Sequence, residues 1–341
     1  MKISVIGAGA MGGATVEGLI KGQQFKNEDI TVSDPSQAVV DKFAKMGVSV
    51  TTDNKLAADT ADIVCVVVKP WLVERVLTDI KPELDPKKQI LIVIAAGVSS
   101  ESIKGWLGDN CPPLFLIIPN IAIAEMASMT FIVPCGATQQ QTQLVQGIFD
   151  EMGTSLITDE QHLASGTTLA SCGIAYAMRY IRAAAEGGVE LGFKADDAKK
   201  IVMQTMKGAV ELLEASGLHP EAAIDLVTTP GGVTIKGLNE MEHAGFTSAV
   251  IRGLKAGLKL SNMKRGLLIC LIILSHLTAF AQDNANSRQA KRVFNTAWNH
   301  IYGKEGVRFH YKIDILHLYK EEGTSWNKGD KAKSEYKDSK M

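Results

Sequence analysis

The stretch Met1-Lys2-Ile3-Ser4-Val5-Ile6-Gly7-Ala8-Gly9-Ala10-Met11-Gly12 decides the fold of this chain. Its first half is an apolar run that fits a buried parallel strand, and its second half has the spacing G-x-G-x-x-G. Apolar residues at helical spacing follow over residues 16–20, so the glycines lie between a strand and a helix. In that context the motif predicts a nicotinamide dinucleotide site. Gly7 forms the tight turn, Gly9 admits the pyrophosphate, and Gly12 allows close packing of helix on strand.

A second strand-like run, Ile30-Thr31-Val32-Ser33-Asp34-Pro35, ends with an acidic residue 22 positions after the last glycine of the motif. An acidic side chain there hydrogen-bonds the ribose 2′-hydroxyl and repels a 2′-phosphate, which favours NAD. Ser33 and Asn54 suit a 2′-phosphate instead if Asp34 points away. Asp34 also precedes a proline, as a turn or cap residue often does. NADPH and NADH therefore both remain candidates for the cofactor.

Length and composition agree with a globular protein of two domains, or of one domain with additions. The chain has 341 residues, of which 46% are hydrophobic, and its formal net charge of −1 gives no sign of nucleic-acid binding. The five cysteines are scattered and show no CxxC spacing. They predict reduced thiols in a cytoplasmic protein, with no metal site and no disulfide framework.

Strand-like and helical runs alternate through the first 158 residues, which predicts a doubly wound parallel sheet, the Rossmann type of dinucleotide-binding domain. β patterns end near His162, and residues 159–262 are expected to form an all-helical domain. Its helices are rich in small residues, which predicts close packing against a partner chain and hence a homodimer or higher homo-oligomer. The strand-like runs are Ile63–Val68, Ile90–Ile94, Leu114–Ile118 and Thr130–Pro134, and the helical runs are Gln139–Glu151, Leu169–Glu190, Ala195–Ser216, Pro220–Leu226 and one beyond Thr234.

The helical part also contains a glycine loop, in the segment Val227–Leu238 with the sequence VTTPGGVTIKGL. Adjacent glycines let backbone N–H groups turn toward a ligand without side-chain obstruction. The helical pattern that follows adds the free donors and the dipole of a helix N-terminus, which suit a small carboxylate. The alternative is an ordinary Pro-Gly turn that caps a helix.

These motifs together resemble the pyrroline-5-carboxylate reductase family, and the resemblance runs in order over residues 1–262. It implies NAD(P)H-dependent reduction of the cyclic imine 1-pyrroline-5-carboxylate to L-proline, the last step of proline synthesis. The matching segments are the initial GAGAMG, Val66–Pro70, Ile94–Ser99, Pro119-Asn120, Ala175-Tyr176 and Val227–Leu238.

The resemblance also implies the site residues. The N–H groups of Gly231, Gly232 and the residues that follow would bind the substrate carboxylate, and Thr234 would be the catalytic partner of the ring nitrogen. The alternative for Thr234 is an early-helix residue that bonds the backbone. The substrate set is Thr229, Gly231, Gly232, Val233 and Thr234. The cofactor set is Gly7, Ala8, Gly9, Ala10, Met11, Gly12, Ser33, Asp34, Asn54, Val68, Lys69, Pro70, Ala95, Ala96, Gly97 and Asn120.

The expected chemistry needs little from the protein beyond binding and orientation. A protonated imine is already electrophilic, so its reduction requires no metal, nucleophile or acid–base pair. Two departures from the family pattern affect the expected nicotinamide side of the site. Leu116 replaces the usual Arg, and Ala170-Ser171-Cys172-Gly173-Ile174-Ala175-Tyr176 replaces the usual Ser-Gly-Ser-Gly-Pro-Ala-Tyr. The changes at Ala170, Cys172 and Ile174 are expected to alter substrate preference or rate.

Two other functions compete with this one. The first is another NAD(P)-dependent reductase of small acids or imines; a β-hydroxyacid dehydrogenase would need a lysine base around Ser171–Tyr176, and this segment has none. The second is a non-catalytic dinucleotide-sensing module, tethered to a membrane by residues 267–281 if that segment is retained. It predicts tight cofactor binding without turnover.

The composition changes abruptly at Met263. Residues 263–341 carry 14 Lys and Arg against 8 Asp and Glu, whereas residues 1–262 carry 22 against 29. The join has a Met, two basic residues, an apolar run of about 16 residues and an A-x-A site, which is typical of a signal peptide and short for a membrane span. We expect a signal-peptide-like segment at 263–282 and the start of an unrelated exported protein at 283–341, with a helix over 290–301 and a strand over 307–315. This part faintly resembles periplasmic lipoprotein-carrier proteins.

Overall fold

The computed structural model describes residues 1–258, 308–315, 319–328 and 331–339, with side chains for residues 1–258. The chain divides into two compact units, Met1–Asn262 and Met263–Met341.

The first unit contains one eight-stranded sheet with the order β3-β2-β1-β4-β5-β6-β7-β8. The first six strands are parallel, β7 is antiparallel to β6, and β8 is parallel to β7. The order reverses between β1 and β4, and ligands of open α/β sheets bind at such a switch point. The strands are β1 Ile3–Ile6, β2 Ile30–Ser33, β3 Ser49–Thr51, β4 Ile63–Val66, β5 Ile90–Val93, β6 Leu114–Ile118, β7 Ser128–Cys135 and β8 Gly153–Ile157.

Helices cover both faces of this sheet, and each face has its own apolar layer. Phe115 of β6 packs in one layer with Phe43 and Phe149, while its neighbour Leu116 packs in the other layer with Leu77. Successive strand residues point to opposite faces, so an uninterrupted apolar run fills both layers. The helices are α1 Ala10–Lys21, α2 Gln37–Ala44, α3 Asn54–Asp59, α4 Pro70–Ile80, α5 Ser100–Leu107 and α6 Gln139–Asp150.

A helical domain follows the sheet. Its helices are α7 Leu163–Gly166, α8 Gly173–Glu190, α9 Ala195–Ser216, α10 Pro220–Leu226, α11 Val233–His243 and a stretch over 246–258. No residue of α8 or α11 is buried, and Ala198 is the only buried residue of α9. Ala198 faces Gly188 of α8, where an added Cβ would lie 2.9 Å from the Ala198 Cβ. The helices therefore pack on one another through small residues and leave their other faces uncovered.

The predicted fold class, a doubly wound sheet followed by a helical domain, is confirmed. Three details differ from the sequence analysis. The short β3 and the edge strand β8 were not predicted, and β7 and β8 run against the other six strands. The helix predicted over Leu169–Glu190 is wrong at its start, because a π-helical segment occupies 167–171 and α8 begins at Gly173.

The second unit contains a three-stranded antiparallel sheet in the order β11-β10-β9. Its strands are β9 Arg308–Ile315, β10 Tyr319–Lys328 and β11 Lys331–Ser339. β9 confirms the strand predicted over 307–315, whereas the segment 263–282 and the helix predicted over 290–301 lie outside the described residues. Within the described part of the chain, no helix is both long and apolar enough to cross a membrane.

Candidate active site

The residues predicted to hold the dinucleotide lie along one edge of the sheet. They follow the carboxyl ends of β1 to β6, which all point the same way. The switch point between β1 and β4 lies in the middle of this edge. The fold therefore brings together predicted residues that are separated by more than a hundred positions in the sequence.

The glycine motif between β1 and α1 has the shape that a pyrophosphate needs. Gly7 has a φ of +93°, and a Cβ there would lie 2.6 Å from the Val67 carbonyl oxygen. A Cβ on Gly12 would lie 1.9 Å from the Gly7 carbonyl oxygen. By contrast, no atom outside its immediate chain neighbours comes within 4 Å of a Cβ built on Gly9, which is the N-cap of α1. The turn is thus closed on the protein side and open at the helix N-terminus, as dinucleotide binding requires.

Asp34, Ser33 and Asn54 lie together where β2 and β3 end. The Asp34 carboxylate accepts hydrogen bonds from the N–H groups of Ala8 and Ser36, both at 2.9 Å. Ser33 is fully buried and its hydroxyl donates to Asn54 Oδ1 at 2.8 Å. Asp34 therefore links the glycine motif to the start of α2, and Ser33 and Asn54 bond to each other.

The loops after β4, β5 and β6 supply the other half of the edge. Lys69 is the N-cap of α4 and Pro70 its first residue, so Val68, Lys69 and Pro70 end β4 and begin the helix. Gly97 turns the chain after β5 with a φ of +85°, next to Ala95 and Ala96. The edge is built from strand ends and helix starts, so its backbone is fixed on both sides.

Asn120 follows β6 and is buried. Its side-chain Oδ1 accepts from the N–H of Ala122 at 3.0 Å, and its own N–H donates to Ser128 Oγ at 3.2 Å. These contacts fix the plane of the carboxamide. The Nδ2 group makes no hydrogen bond to any residue that the structure describes, so both of its N–H donors are available to a ligand.

The helical domain is tied to this edge at the residue before Asn120. Ser171, in the π-helical segment before α8, donates from its hydroxyl to the Pro119 carbonyl oxygen at 2.7 Å. Ser171 was not among the predicted site residues. Ser171 lies between Ala170 and Cys172, which both depart from the family pattern, and this position is the signal that could have indicated a role. The structure adds that Ser171 lies in a π-helical segment, and such segments are frequent at functional sites.

The departures at Leu116 and Ala170 belong to one apolar region. Leu116 is buried in the layer that contains Phe131, Val133 and Leu163, and Ala170 packs against the same layer. The two departures from the family pattern are therefore both apolar and both lie at the same layer, Leu116 on β6 and Ala170 at the start of the helical domain. Cys172 and Ile174 are partly exposed at the start of α8, and nothing in the structure explains these two substitutions.

The glycine loop before α11 forms a tight turn. Gly232 donates its N–H to the Thr229 carbonyl oxygen at 2.9 Å, and Gly231 has a φ of +70°. Pro230 and Gly231 thus occupy the two central positions of a type II turn. The Gly232 N–H, which was expected to bind the carboxylate, closes this turn in the structure, so its role toward the substrate stays a prediction. Gly232 is the N-cap of α11, so the first free helix donors belong to Val233 and Thr234.

The glycine loop is open to solvent in the single chain. Val233 is 87% exposed, and Thr234 is exposed as well. Among the described residues, no hydrogen bond joins this loop to the dinucleotide edge. In a single chain, the dinucleotide edge and the glycine loop before α11 are therefore both formed, but no hydrogen bond between described residues joins them.

None of the thiols near the sheet is suited to nucleophilic chemistry. Burial raises the pKa of Cys65, in β4, to about 12. Burial likewise raises the pKa of Cys111 and of Cys135, each of which is about half-buried. These side chains stay protonated at neutral pH.

Family comparisons agree with the geometry. Residues 160–263 match the model described as pyrroline-5-carboxylate reductase dimerisation, and residues 2–97 match NADP oxidoreductase coenzyme F420-dependent. Pyrroline-5-carboxylate reductase of Methanosarcina acetivorans is 34% identical over 257 residues, which cover 74% of this chain and 94% of that protein. The chain belongs to the pyrroline-5-carboxylate reductase family. Pyrroline-5-carboxylate reductase 1 of Dictyostelium discoideum is 38% identical over 264 residues, 74% of this chain, but the chain spans about half of its length (48%).

Solved structures of the family have the same fold. Pyrroline carboxylate reductase of Plasmodium falciparum with NADP bound matches with a TM-score of 0.71 and 25% identity, over 78% of this chain and 98% of that chain. The Streptococcus pyogenes 1-pyrroline-5-carboxylate reductase matches with a TM-score of 0.68 and 30% identity, over 76% and 98% of the two chains. The family match thus extends over both the sheet and the helical domain.

Proposed function

We propose that the chain reduces 1-pyrroline-5-carboxylate to L-proline with NAD(P)H. The family membership supports the reaction, and the open position at Gly9, beside a turn that only glycines can form, supports the cofactor. We assign the dinucleotide to the edge formed by the loops after β1 to β6. The exposed N-terminus of α11, directly after the Pro-Gly turn, supports our assignment of the substrate to that loop.

The protein's part in the reaction is to bind and orient. The N-terminus of α1 would hold the pyrophosphate, and the Asn120 carboxamide would offer its two N–H donors to the nicotinamide part of the cofactor. When bound, the reduced dinucleotide supplies a hydride to the carbon of the C=N bond. Positioning of this kind can account for a large part of a rate enhancement without an acid–base pair.

We assign the substrate carboxylate to the N–H groups of Val233 and Thr234 at the start of α11. These donors lack helical partners, and the helix dipole favours an anion there. The Thr234 hydroxyl is exposed at the same end of the helix, where it can hydrogen-bond the ring nitrogen while the amine forms. Thr229 supplies the carbonyl that closes the turn and so holds these donors in place.

A homo-oligomer is expected to complete this site. Hydride transfer benefits from exclusion of water, yet the glycine loop is exposed in the single chain. The match of residues 160–263 to the dimerisation model and the uncovered apolar faces of α8 and α9 both support self-association. The free thiols of the described residues, Cys65, Cys111, Cys135 and Cys172, support a cytoplasmic location for the enzyme.

We further propose that residues 263–341 are the start of an unrelated exported protein joined to the reductase. The boundary between the two compact units falls at Met263, and the match to the family ends at the same residue. The change in charge at this point supports the same boundary. The domains would then be 1–158, 159–262, 263–282 and 283–341, and membrane association would require the 267–281 segment.

The test of the reaction is oxidation of each reduced dinucleotide with and without the cyclic imine. A reductase shows imine-dependent oxidation and forms proline. A dinucleotide-sensing module binds the cofactor and shows no imine-dependent oxidation. A β-hydroxyacid dehydrogenase oxidises hydroxy acids with the oxidised cofactor and ignores the imine.

A further inference from the structure

The Asp34 carboxylate lies at the place where the adenosine ribose of the dinucleotide is expected. Its Oδ2 accepts from Ala8 N–H, within the glycine motif, and its Oδ1 accepts from Ser36 N–H, before α2. In this fold an acidic side chain after the second strand hydrogen-bonds the ribose hydroxyls. These two backbone bonds hold the carboxylate toward the glycine motif, where it would face another anion.

The start of α2 is also where a 2′-phosphate would find donors, since helix N-termini bind anions. In this chain the carboxylate of Asp34 already takes the Ser36 N–H, the donor just before the helix. The N–H groups of Gln37 and Ala38 keep no partner among the described residues, so a 2′-phosphate could still reach amides there but would meet the fixed negative charge of Asp34 beside them.

Among the described residues, few cations close to Asp34 in the sequence could offset this charge. Residues 27–41 contain no Lys or Arg. Lys42 pairs with Glu17 at 2.8 Å, and Lys55 pairs with Asp79 at 3.6 Å. Lys69, at the end of β4, is the remaining cation that the sequence analysis placed at this edge.

The two polar side chains that could have served a 2′-phosphate are bonded to each other. The Ser33 hydroxyl is fully buried and donates to Asn54 Oδ1. Ser33 thus has no proton left to offer a phosphate, and the Nδ2 group of Asn54 is the donor that remains in this pair. If Ser33 and Asn54 were to bind a 2′-phosphate, the Ser33 hydroxyl would therefore not be available as a donor.

We infer that the chain selects NADH over NADPH, and that Asp34 determines this selection. The inference rests on the proposed dinucleotide site and makes it more specific. It distinguishes this chain from the Plasmodium falciparum relative, whose structure has NADP bound. The 2′-hydroxyl of NADH can donate to the Asp34 carboxylate, whereas the 2′-phosphate of NADPH is repelled by it.

Direct binding tests the inference without turnover. Calorimetry with NAD⁺ and NADP⁺ would be performed on the full chain, on Asp34→Asn and on the control Asp85→Asn. Asp85 accepts the N–H of Lys87 at 2.9 Å, a contact similar to that of Asp34, but it precedes β5 and so lies at the opposite edge of the sheet. The control therefore makes the same chemical change away from the cofactor edge.

Since like charges brought together cost several kcal/mol, we expect the wild-type chain to bind NAD⁺ at least about tenfold more tightly than NADP⁺. Asp34→Asn should reduce this ratio about tenfold or more, and Asp85→Asn should leave it unchanged. A wild-type preference for NADP⁺ would overturn the inference even if Asp34→Asn failed to fold, as would an unchanged ratio in a folded Asp34→Asn. Preferred binding of NAD⁺ without imine reduction would instead refute the proposed reaction and leave the selectivity standing.

Discussion

Gly231 and Gly232 have different tasks in the turn before α11. Gly231 adopts a φ of +70°, which side chains other than that of glycine rarely tolerate. Gly232 has an ordinary φ of −66°, but a Cβ there would lie 2.4 Å from Thr229 Oγ1. Backbone conformation therefore requires glycine at the first position and close approach requires it at the second.

Replacing Gly232 should weaken substrate binding selectively. Gly232→Val pushes Thr229 out of the turn and displaces the N–H donors of Val233 and Thr234. Because hydrogen bonds to a charged group contribute about 1.5–3 kcal/mol each, we expect KM for the imine to rise at least about tenfold. Steady-state kinetics measures this, with dinucleotide affinity unchanged. Gly237→Val is the control, since a Cβ on Gly237 in α11 meets open space; an unaltered KM in Gly232→Val would remove the substrate from this loop.

The Thr234 hydroxyl is expected to act on the reaction step. If it assists proton transfer to the forming amine, Thr234→Ala should lower kcat by about tenfold to a thousandfold. Thr205→Ala is the control, because Thr205 is an exposed helical threonine whose hydroxyl bonds Ile201 O in its own helix. Single-turnover kinetics would measure the step directly. A wild-type kcat in Thr234→Ala would show that Thr234 is only an early residue of α11 and takes no part in the reaction step.

The sequence predicted these residues better than it predicted their hydrogen bonds. The spacing of Gly7, Gly9 and Gly12 between a strand and a helix is typical of a dinucleotide-binding turn, so their roles in the turn could be inferred from it. The hydrogen bond of the Gly232 N–H within the turn could not be inferred, because the sequence is the same whether this N–H group is bonded to the protein or free. The double contact of Asp34 likewise depends on Ala8 and Ser36, which carry no signal of their own.

At the level of elements, the direction of β7 follows from the length of the connection before it. Only nine residues separate β6 from β7, and they contain a short 3₁₀ turn, Ile121–Glu125. A parallel crossover needs a dozen or more residues, usually with a helix. The connection from β7 to β8 contains α6 and is parallel. An apolar run shows that a strand exists but not its direction, so the antiparallel pairing of β6 with β7 was not predicted, although the short loop between them could have revealed it.

The junction between the sheet and the helical domain depends on Ser171. Its hydroxyl bonds Pro119 O, so Ser171→Ala leaves this carbonyl without its donor. We expect a loss of about 0.5–1.5 kcal/mol in unfolding free energy, measured by denaturant unfolding at fixed protein concentration. Ser171→Thr keeps the hydroxyl and should retain most of the stability. Equal losses in both variants would show that packing at the π segment, and not the hydrogen bond, joins the two parts.

Across the whole molecule, the uncovered helices require a partner. A 22-residue helix such as α9 that buries only Ala198 gains little from folding in a single chain. Leu191, at the end of α8, is 82% exposed. Large exposed apolar surfaces in soluble domains mark interfaces. The small-residue composition of these helices indicated an oligomer, but the faces that associate could be identified only in the structure.

Removing the residues after Asn262 should preserve the reductase. The glycine motif, the sheet and the loop before α11 all lie in the first compact unit. An apolar signal-like segment behind a folded domain is an aggregation hazard. We therefore expect a truncation at Asn262 to be soluble, oligomeric and fully active, with less aggregation than the 341-residue chain by light scattering. An inactive or unfolded truncation beside an active full chain would mean that residues 263–341 belong to the enzyme.

The most direct measurement is the consumption of NADH and NADPH by the full chain in the presence and absence of 1-pyrroline-5-carboxylate, with quantification of L-proline. The account predicts oxidation that depends on the imine, proline in equal amount to the dinucleotide oxidised, and a higher kcat/KM with NADH. Binding of either dinucleotide without imine-dependent proline formation would contradict it.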